Sequence, residues 1–286
     1  MVVFSGMGKL LAGNAFFAKL FFCNAVFLCM KWHYHSIIFL LLILNIHQMA
    51  AQKVGFCDPE TGLCTPAPIS EQELTTDYRT DIEIVYVGDP MCSWCWGISP
   101  QLNRLEREAA KENIPYRIVL GGLRPGGGDP WNDQFKNFLK HHWEEVNGRS
   151  GQPFGYDLFE KPEFNYDTEP ACRAVVAARE MKPEIEQRFF ELVQHHFYVK
   201  NQDPATVTFY QPICETLGLD FDEFSSLFQS EAMKKATAAD FQLNRQWGVR
   251  GYPTVLLRKD QQLYVIARGY AEFDQLWEAV QGITED

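Results

Sequence analysis

The sequence has little positive charge compared with its negative charge. It contains 26 Lys and Arg against 37 Asp and Glu, which gives a formal net charge of −11. Proteins that bind nucleic acid need clustered Lys and Arg side chains to neutralise phosphates, so we expect no nucleic-acid partner. With 46% hydrophobic residues, the chain is too apolar to be disordered throughout and is able to bury a core.

Residues 1–51 lack Arg, Asp and Glu altogether and contain three Lys. A basic segment begins at Met30, an apolar run follows at residues 37–44, and small residues stand at Ala50 and Ala51. This order predicts a signal peptide with Met30 as the true start and cleavage near the two alanines, and the alternative is a longer leader or an uncleaved anchor. The apolar run is shorter than the roughly 20 residues that span a bilayer. We therefore expect a periplasmic or otherwise exported protein with no stable membrane span after leader removal.

The chain also lacks a second Cys-x-x-Cys pair, which a structural zinc site would need, and we expect no metal site. Eight cysteines occur, at positions 23, 29, 57, 64, 92, 95, 172 and 214. In an oxidising compartment the last six are interpreted first as disulfides or redox centres. Cys57 and Cys64 lie in an extended tail, residues 52–79, and form either a local disulfide or a mobile second redox pair. Cys172 and Cys214 are more typical of buried thiols, and their pairing stays open.

Apolar periodicity changes along the rest of the chain. Strand patterns occupy residues 81–87, 116–120, 254–257 and 263–266. A helical pattern begins at Cys92, another ends the chain, and successive helical stripes fill residues 131–247. If the middle is an insertion, the two ends must share one sheet. We predict an α/β, thioredoxin-like fold with an inserted all-helical subdomain. The thioredoxin-like parts would be residues 80–130 and 248–286, and the insertion 131–247.

The Cys92-Ser93-Trp94-Cys95 segment stands where a strand pattern gives way to a helical pattern. A thiolate is the species that attacks disulfides, and the free N–H groups and positive dipole end of a helix favour it. Cys92 is therefore the predicted exposed nucleophile, and Cys95, one turn inside the helix, the predicted resolving thiol. A purely structural bridge within one turn would close a very small loop and stabilise little, so redox chemistry is the favoured interpretation.

Two further features are candidates for substrate binding. Tyr252-Pro253 directly precedes the third strand, and a cis Pro253 would leave the backbone of Tyr252 free to pair with an extended peptide. The alternative is an ordinary trans proline at the first residue of a strand. Trp94 and Trp96 either line an apolar groove near the thiols or pack beneath the helix.

Four segments occur in order, at residues 89–97 (DPMCSWCWG), 121–123 (GGL), 169–174 (EPACRA) and 251–254 (GYPT). Together they resemble the DsbA family of thiol-disulfide oxidoreductases, in particular the branch of predicted protein-disulfide isomerases near the FrnE-like proteins. The resemblance covers about residues 80–286. It implies a thioredoxin fold with an inserted helical domain, Cys92 as nucleophile, Cys95 as resolving thiol and Pro253 as the cis residue.

Ser93 and Trp94, which lie between the two cysteines, carry no cation. They differ in this from the Pro-His dipeptide of the well-known oxidase, and the difference predicts a less oxidising couple.

These observations predict an exported oxidoreductase that exchanges disulfides with protein cysteines through Cys92 and Cys95. It would need no organic cofactor, and its partners would be cysteine-containing protein substrates and an unidentified redox partner. The tail is too short for the dimerisation module that dedicated isomerases often need, so oxidation or reduction is favoured over isomerisation. Two alternatives stay open: a glutathione-dependent isomerase or transferase of the kappa-class type, which typically has Ser where Cys92 stands, and a peptide-binding chaperone without redox turnover.

Overall fold

The computed structural model describes residues 81–285 of the chain. The predicted signal peptide, the extended tail and the Cys57 and Cys64 pair lie outside this range. All four segments that carry the family resemblance lie within it.

One four-stranded mixed sheet joins the two ends of the described chain. Its strands are β1 (Ile82–Gly88), β2 (Tyr116–Leu120), β3 (Thr254–Lys259) and β4 (Gln262–Arg268). The order across the sheet is β2-β1-β3-β4. Strand β1 runs parallel to β2 and antiparallel to β3, and β3 pairs with β4 as an antiparallel hairpin. The prediction that both ends of the chain share one sheet is confirmed.

Eight α-helices occur among residues 81–285. They are α1 (Ser93–Lys111), α2 (Asp133–Ser150), α3 (Glu169–Met181), α4 (Glu186–Tyr198), α5 (Gln211–Leu217), α6 (Phe221–Gln229), α7 (Glu231–Gln246) and α8 (Phe273–Glu285). Helices α2 to α7 lie between β2 and β3, which confirms the predicted all-helical insertion. No helix in the described part of the chain is long and apolar enough to cross a membrane.

Apolar side chains cover both faces of the sheet. Ile84 and Tyr86 of β1 belong to a large cluster that includes residues of α1 and of the helical insertion. Val85 and Val87 of the same strand belong to a smaller cluster with Trp247. Successive side chains of a strand point to opposite faces, so a strand with both faces covered is apolar at nearly every position. This explains the apolar run in β1.

Helix α1 connects the sheet to the insertion. Its apolar stripe, which includes Leu102, Leu105 and Ala109, is fully buried. The helix packs against α2, α4 and α8 and contacts β2. The chain leaves β1 at Gly88 and enters α1 at Ser93, so the intervening turn lies at the carboxyl end of β1. The first cysteine of the Cys-x-x-Cys segment is in this turn.

Candidate active site

Cys92 is the N-cap residue of α1. Its backbone is extended (φ −90°, ψ 118°), and its N–H donates to the carbonyl oxygen of Asp89 over 3.0 Å. The first turn of α1 contains no acidic residue. The free N–H groups at this helix end therefore favour negative charge on a sulfur beside them.

Cys92 is less accessible than the sequence predicted. Only 6% of the residue is exposed, so the expectation of an exposed nucleophile is wrong for this conformation. The physical reason is that the segment before β3 lies over the thiol: Cys92 Sγ donates to the carbonyl oxygen of Tyr252 over 3.5 Å. The sulfur therefore has a polar neighbour, and a substrate must displace or pass this carbonyl group to reach it.

Cys95 is the more deeply buried of the two thiols and is fully enclosed. Its side chain lies within hydrogen-bonding range of Cys92, and neither cysteine is in a disulfide. Burial raises the pKa of Cys95 well above its ordinary value, and the neighbouring Cys92 raises this pKa further. The hydroxyl of Tyr86 and the backbone of Asp89 act in the opposite direction. The reduced pair thus holds Cys95 as a neutral thiol within reach of Cys92.

The Tyr252–Pro253 peptide bond is cis, as the family resemblance implied. The hydroxyl of Tyr252 donates to the carbonyl oxygen of Gly121 over 2.6 Å. A Cβ at Gly121 would lie 2.6 Å from the Tyr252 ring, so only glycine allows this approach. Tyr252 therefore has two contacts: its ring is held at Gly121, and its backbone carbonyl group faces Cys92. In the reduced protein this carbonyl group is engaged by the thiol, so the prediction of a free Tyr252 backbone is wrong for this conformation.

Asp89 is a fully buried carboxylate that ties three segments together. It accepts hydrogen bonds from the N–H of Met91 over 2.8 Å, from the N–H of Leu123 over 2.7 Å and from the thiol of Cys172 over 3.4 Å. Burial raises the pKa of Asp89, and the two N–H donors oppose this change. Asp89 therefore fixes the turn before Cys92 relative to the 121–123 segment and to helix α3.

The two remaining described cysteines are buried thiols, in agreement with the more typical of the expectations. Cys172 is fully enclosed in α3, and burial raises its pKa well above the ordinary value, with Asp89 adding to the effect. Cys214 lies in α5, and burial raises its pKa to about 12. Neither forms a disulfide. Among residues 81–285, no group of three or more His, Cys, Asp or Glu side chains could hold a metal ion.

The two tryptophans of the motif have different environments. Trp94 is half-buried, with its ring 6.4 Å from that of Tyr270. Trp96 is buried, stacks on Tyr198 and donates from Nε1 to the carbonyl oxygen of Pro153 over 3.0 Å. The prediction that Trp96 binds substrate is therefore wrong in this structure, because its ring lies in the packing between α1 and the insertion. Trp94 stays a candidate.

Three residues near the site have contacts or exposure that the sequence analysis did not assign. The hydroxyl of Tyr166 donates to the carbonyl oxygen of Met91 over 2.8 Å and so supports the turn before Cys92. Thr168 stands at the N-cap of α3 but makes no side-chain cap hydrogen bond, and its hydroxyl oxygen accepts from the N–H of Arg124 over 3.0 Å. Leu123 is a large apolar side chain that is 41% exposed in the segment bound by Asp89. Leu123 belongs to one of the four family segments and Thr168 directly precedes another, and these positions were the one available signal.

This geometry agrees with what comparison with known proteins finds. Residues 83–281 match the family model described as the DSBA-like thioredoxin domain. The chain belongs to this family. The match extends from β1 into α8, so it includes the sheet, the Cys92 and Cys95 helix and the whole helical insertion. The DSBA-like assignment confirms the resemblance drawn from the four sequence segments.

Three related proteins illustrate the similarity. A solved structure of a candidate protein disulfide isomerase from Nitrosomonas europaea is 33% identical, with a TM-score of 0.66, and the match covers 72% of this chain and 98% of that one. The cytosolic disulfide reductase DsbM from Pseudomonas aeruginosa is 24% identical, with a TM-score of 0.59 over 71% of this chain and 100% of that one, and shares the fold. The ClpXP adapter protein SpxH from Shouchella clausii is 24% identical over 71% of this chain and 66% of its own length. The chain thus spans just under two thirds of that relative.

Proposed function

We propose that this DSBA-like chain catalyses thiol-disulfide exchange with cysteine-containing proteins, with Cys92 as nucleophile and Cys95 as resolving thiol. One observation carries the proposal: the Cys92 sulfur lies at the N-terminus of α1 and 3.5 Å from the carbonyl oxygen that precedes cis Pro253. The helix end favours the attacking thiolate, and the segment before Pro253 offers backbone groups to an extended peptide. Membership of the DSBA-like family supports the same chemistry.

In the reducing direction, the Cys92 thiolate attacks one sulfur of a substrate disulfide and forms a mixed disulfide, while the other substrate sulfur leaves as a thiolate and takes up a proton. Cys95 then displaces the substrate and leaves the Cys92–Cys95 disulfide, which a separate redox partner reduces. Substrate would displace the Cys92 thiol from the carbonyl oxygen of Tyr252. Trp94 and Leu123 supply apolar contacts for side chains of the substrate, because both are accessible next to segments that form the site.

We propose further that the couple is less oxidising than that of the strongest oxidants of this fold. Ser93 and Trp94, between the cysteines, carry no charge, and the carboxylate of Asp89 is buried behind the turn. A reduced state that lacks a cation beside the nucleophile is less stabilised, which favours reduction of substrate disulfides. Equilibration with glutathione tests this: we expect a reduction potential nearer about −270 mV than about −120 mV. A value near the second figure would contradict the proposed direction.

Insulin reduction and refolding of reduced ribonuclease test the exchange itself. Cys92→Ala should abolish both activities, and Cys95→Ala should accumulate a mixed disulfide with substrate, visible on a non-reducing gel. Turnover that needs glutathione and a small electrophile rather than a protein disulfide would favour the kappa-class type of enzyme. Peptide binding that is unchanged in Cys92→Ala, with no redox turnover in the wild type, would favour the chaperone.

Export is also a proposal, supported by the composition of residues 1–51 and the small residues at Ala50 and Ala51. Cell fractionation and sequencing of the mature N-terminus test it. A mature chain that begins near Gln52 in an exported fraction is expected. A cytosolic protein that retains the leader would overturn it.

A further inference from the structure

Tyr86 lies near the carboxyl end of β1, two residues before Gly88, where the strand ends. The residue is fully buried, and its ring packs against that of Phe190 with centroids 5.6 Å apart. A Cβ added to Gly88 would lie 2.2 Å from the Tyr86 hydroxyl oxygen. The phenol therefore extends along the strand toward its carboxyl end, through space that Gly88 leaves open.

The side chain that the Tyr86 hydroxyl meets there is Cys95. In the reduced protein this contact falls short of regular hydrogen-bond geometry, and the hydroxyl makes no regular hydrogen bond to any other described residue. A buried polar group without a regular partner is unfavourable for folding. The Tyr86 hydroxyl lies against the redox thiol of Cys95. This position indicates that the hydroxyl makes its hydrogen bond in another state of that thiol.

We propose that Tyr86 is a positioning residue for the resolving step, in which its hydroxyl donates a hydrogen bond to the negatively charged sulfur of Cys95. This inference rests on the proposed exchange chemistry at Cys92 and Cys95. The backbone of Asp89 also interacts favourably with the charged sulfur, so the donors at Cys95 come from the end of β1 and from the turn that follows it.

The resolving step starts from the mixed disulfide, in which Cys92 is bonded to a substrate sulfur. Cys95 loses its proton and attacks the Cys92 sulfur, so the Cys92–Cys95 bond forms while the bond from Cys92 to substrate breaks. The substrate sulfur leaves with the electron pair and takes up a proton in place of the one that Cys95 lost, so the number of bound protons is unchanged. Over both steps the substrate disulfide gains two electrons and the cysteine pair loses two.

Burial makes the thiolate of Cys95 energetically unfavourable, although this step requires it. It raises the pKa of Cys95 well above the ordinary value, so the charged sulfur depends on nearby donors. Burial also raises the pKa of Tyr86 well above its ordinary value. Tyr86 therefore keeps its proton and acts as a hydrogen-bond donor, not as the acceptor of the Cys95 proton.

A stopped-flow experiment separates the two steps. The reduced protein is mixed with an aromatic disulfide whose leaving thiolate absorbs visible light. Attack by Cys92 releases one thiolate in a bimolecular phase, and resolution by Cys95 releases the second in a unimolecular phase. Tyr86→Phe should slow the second phase about tenfold across the pH range and leave the first phase within about twofold of the wild type.

Tyr210→Phe is the matched control, because it also removes a buried hydroxyl, which donates to the carbonyl oxygen of Pro204 over 2.7 Å in the insertion. Both phases should match the wild type. Gly88→Ala retains the Tyr86 hydroxyl but displaces it, and we expect this variant to slow the second phase as well. It tests the inference independently if Tyr86→Phe does not fold. A second phase of wild-type rate in either folded variant overturns the inference while the exchange chemistry stands. Absence of the first phase in the wild type would overturn the exchange chemistry and the inference with it.

Discussion

Replacing Gly121 with alanine tests whether the packing of Tyr252 positions the segment beside the nucleophile. A Cβ at position 121 would lie 2.6 Å from carbons of the Tyr252 ring. Carbon atoms in contact are normally about 3.5–4.0 Å apart, so the ring or its surroundings must move by about 1 Å. The same residue presents its carbonyl oxygen to Cys92 over 3.5 Å, and the displacement therefore reaches the group next to the reacting sulfur.

We expect kcat/KM for insulin reduction to fall about 100-fold in Gly121→Ala, the loss that a displacement of about 1 Å at a reacting centre produces. Overpacking should lower the free energy of unfolding by about 1–3 kcal/mol, measured by urea denaturation. Gly148→Ala in α2 is the control, because a Cβ there meets nothing within 4 Å, and it should change neither activity nor folding adversely. A folded Gly121→Ala protein with wild-type kcat/KM would refute the reasoning.

Two further substitutions test the electrostatics and the packing. Burial raises the pKa of Glu186 to about 7 despite its ion pair with Arg179, so the folded state binds this proton more tightly than the unfolded state. The resulting stability is complete below the unfolded pKa and is lost as pH rises through 7, by about 3 kcal/mol at 1.36 per pKa unit. Glu186→Gln should remove this decline between pH 4.5 and pH 8, and an unchanged pH slope in urea denaturation would contradict the assignment. Trp96→Phe should lose the hydrogen bond to Pro153 and about 1 kcal/mol of stability, with kcat/KM unchanged. A large fall in kcat/KM would instead show that Trp96 contacts the substrate.

Local patterns in the sequence were enough for the architecture. The apolar run of β1, the helical spacing after Cys92 and the hairpin before α8 each report on neighbouring residues, and helical and strand periods are visible in a single segment. The change from strand to helix at Cys92 located the redox pair. Prediction of the signal peptide and of a Cys57–Cys64 pair rests on the same kind of local pattern, and both stay predictions.

The environment of each site side chain was beyond the reach of such patterns. Trp94 and Trp96 are two positions apart and equally aromatic, yet one is half-buried and the other lies in the core. Nothing in the residue type of Asp89 shows that its carboxylate is fully buried, or that a thiol from α3 donates to it.

The sequence by itself determined which elements form, which cysteines stand one helical turn apart and which proline precedes the third strand. Only the tertiary structure decided how accessible Cys92 is and what surrounds it. The contact from Cys92 to the carbonyl oxygen of Tyr252 joins residues 160 positions apart, and it exists because β1 and β3 pair in one sheet. Burial and hydrogen-bond partners arise from such long-range packing, which the pattern within any one segment does not contain.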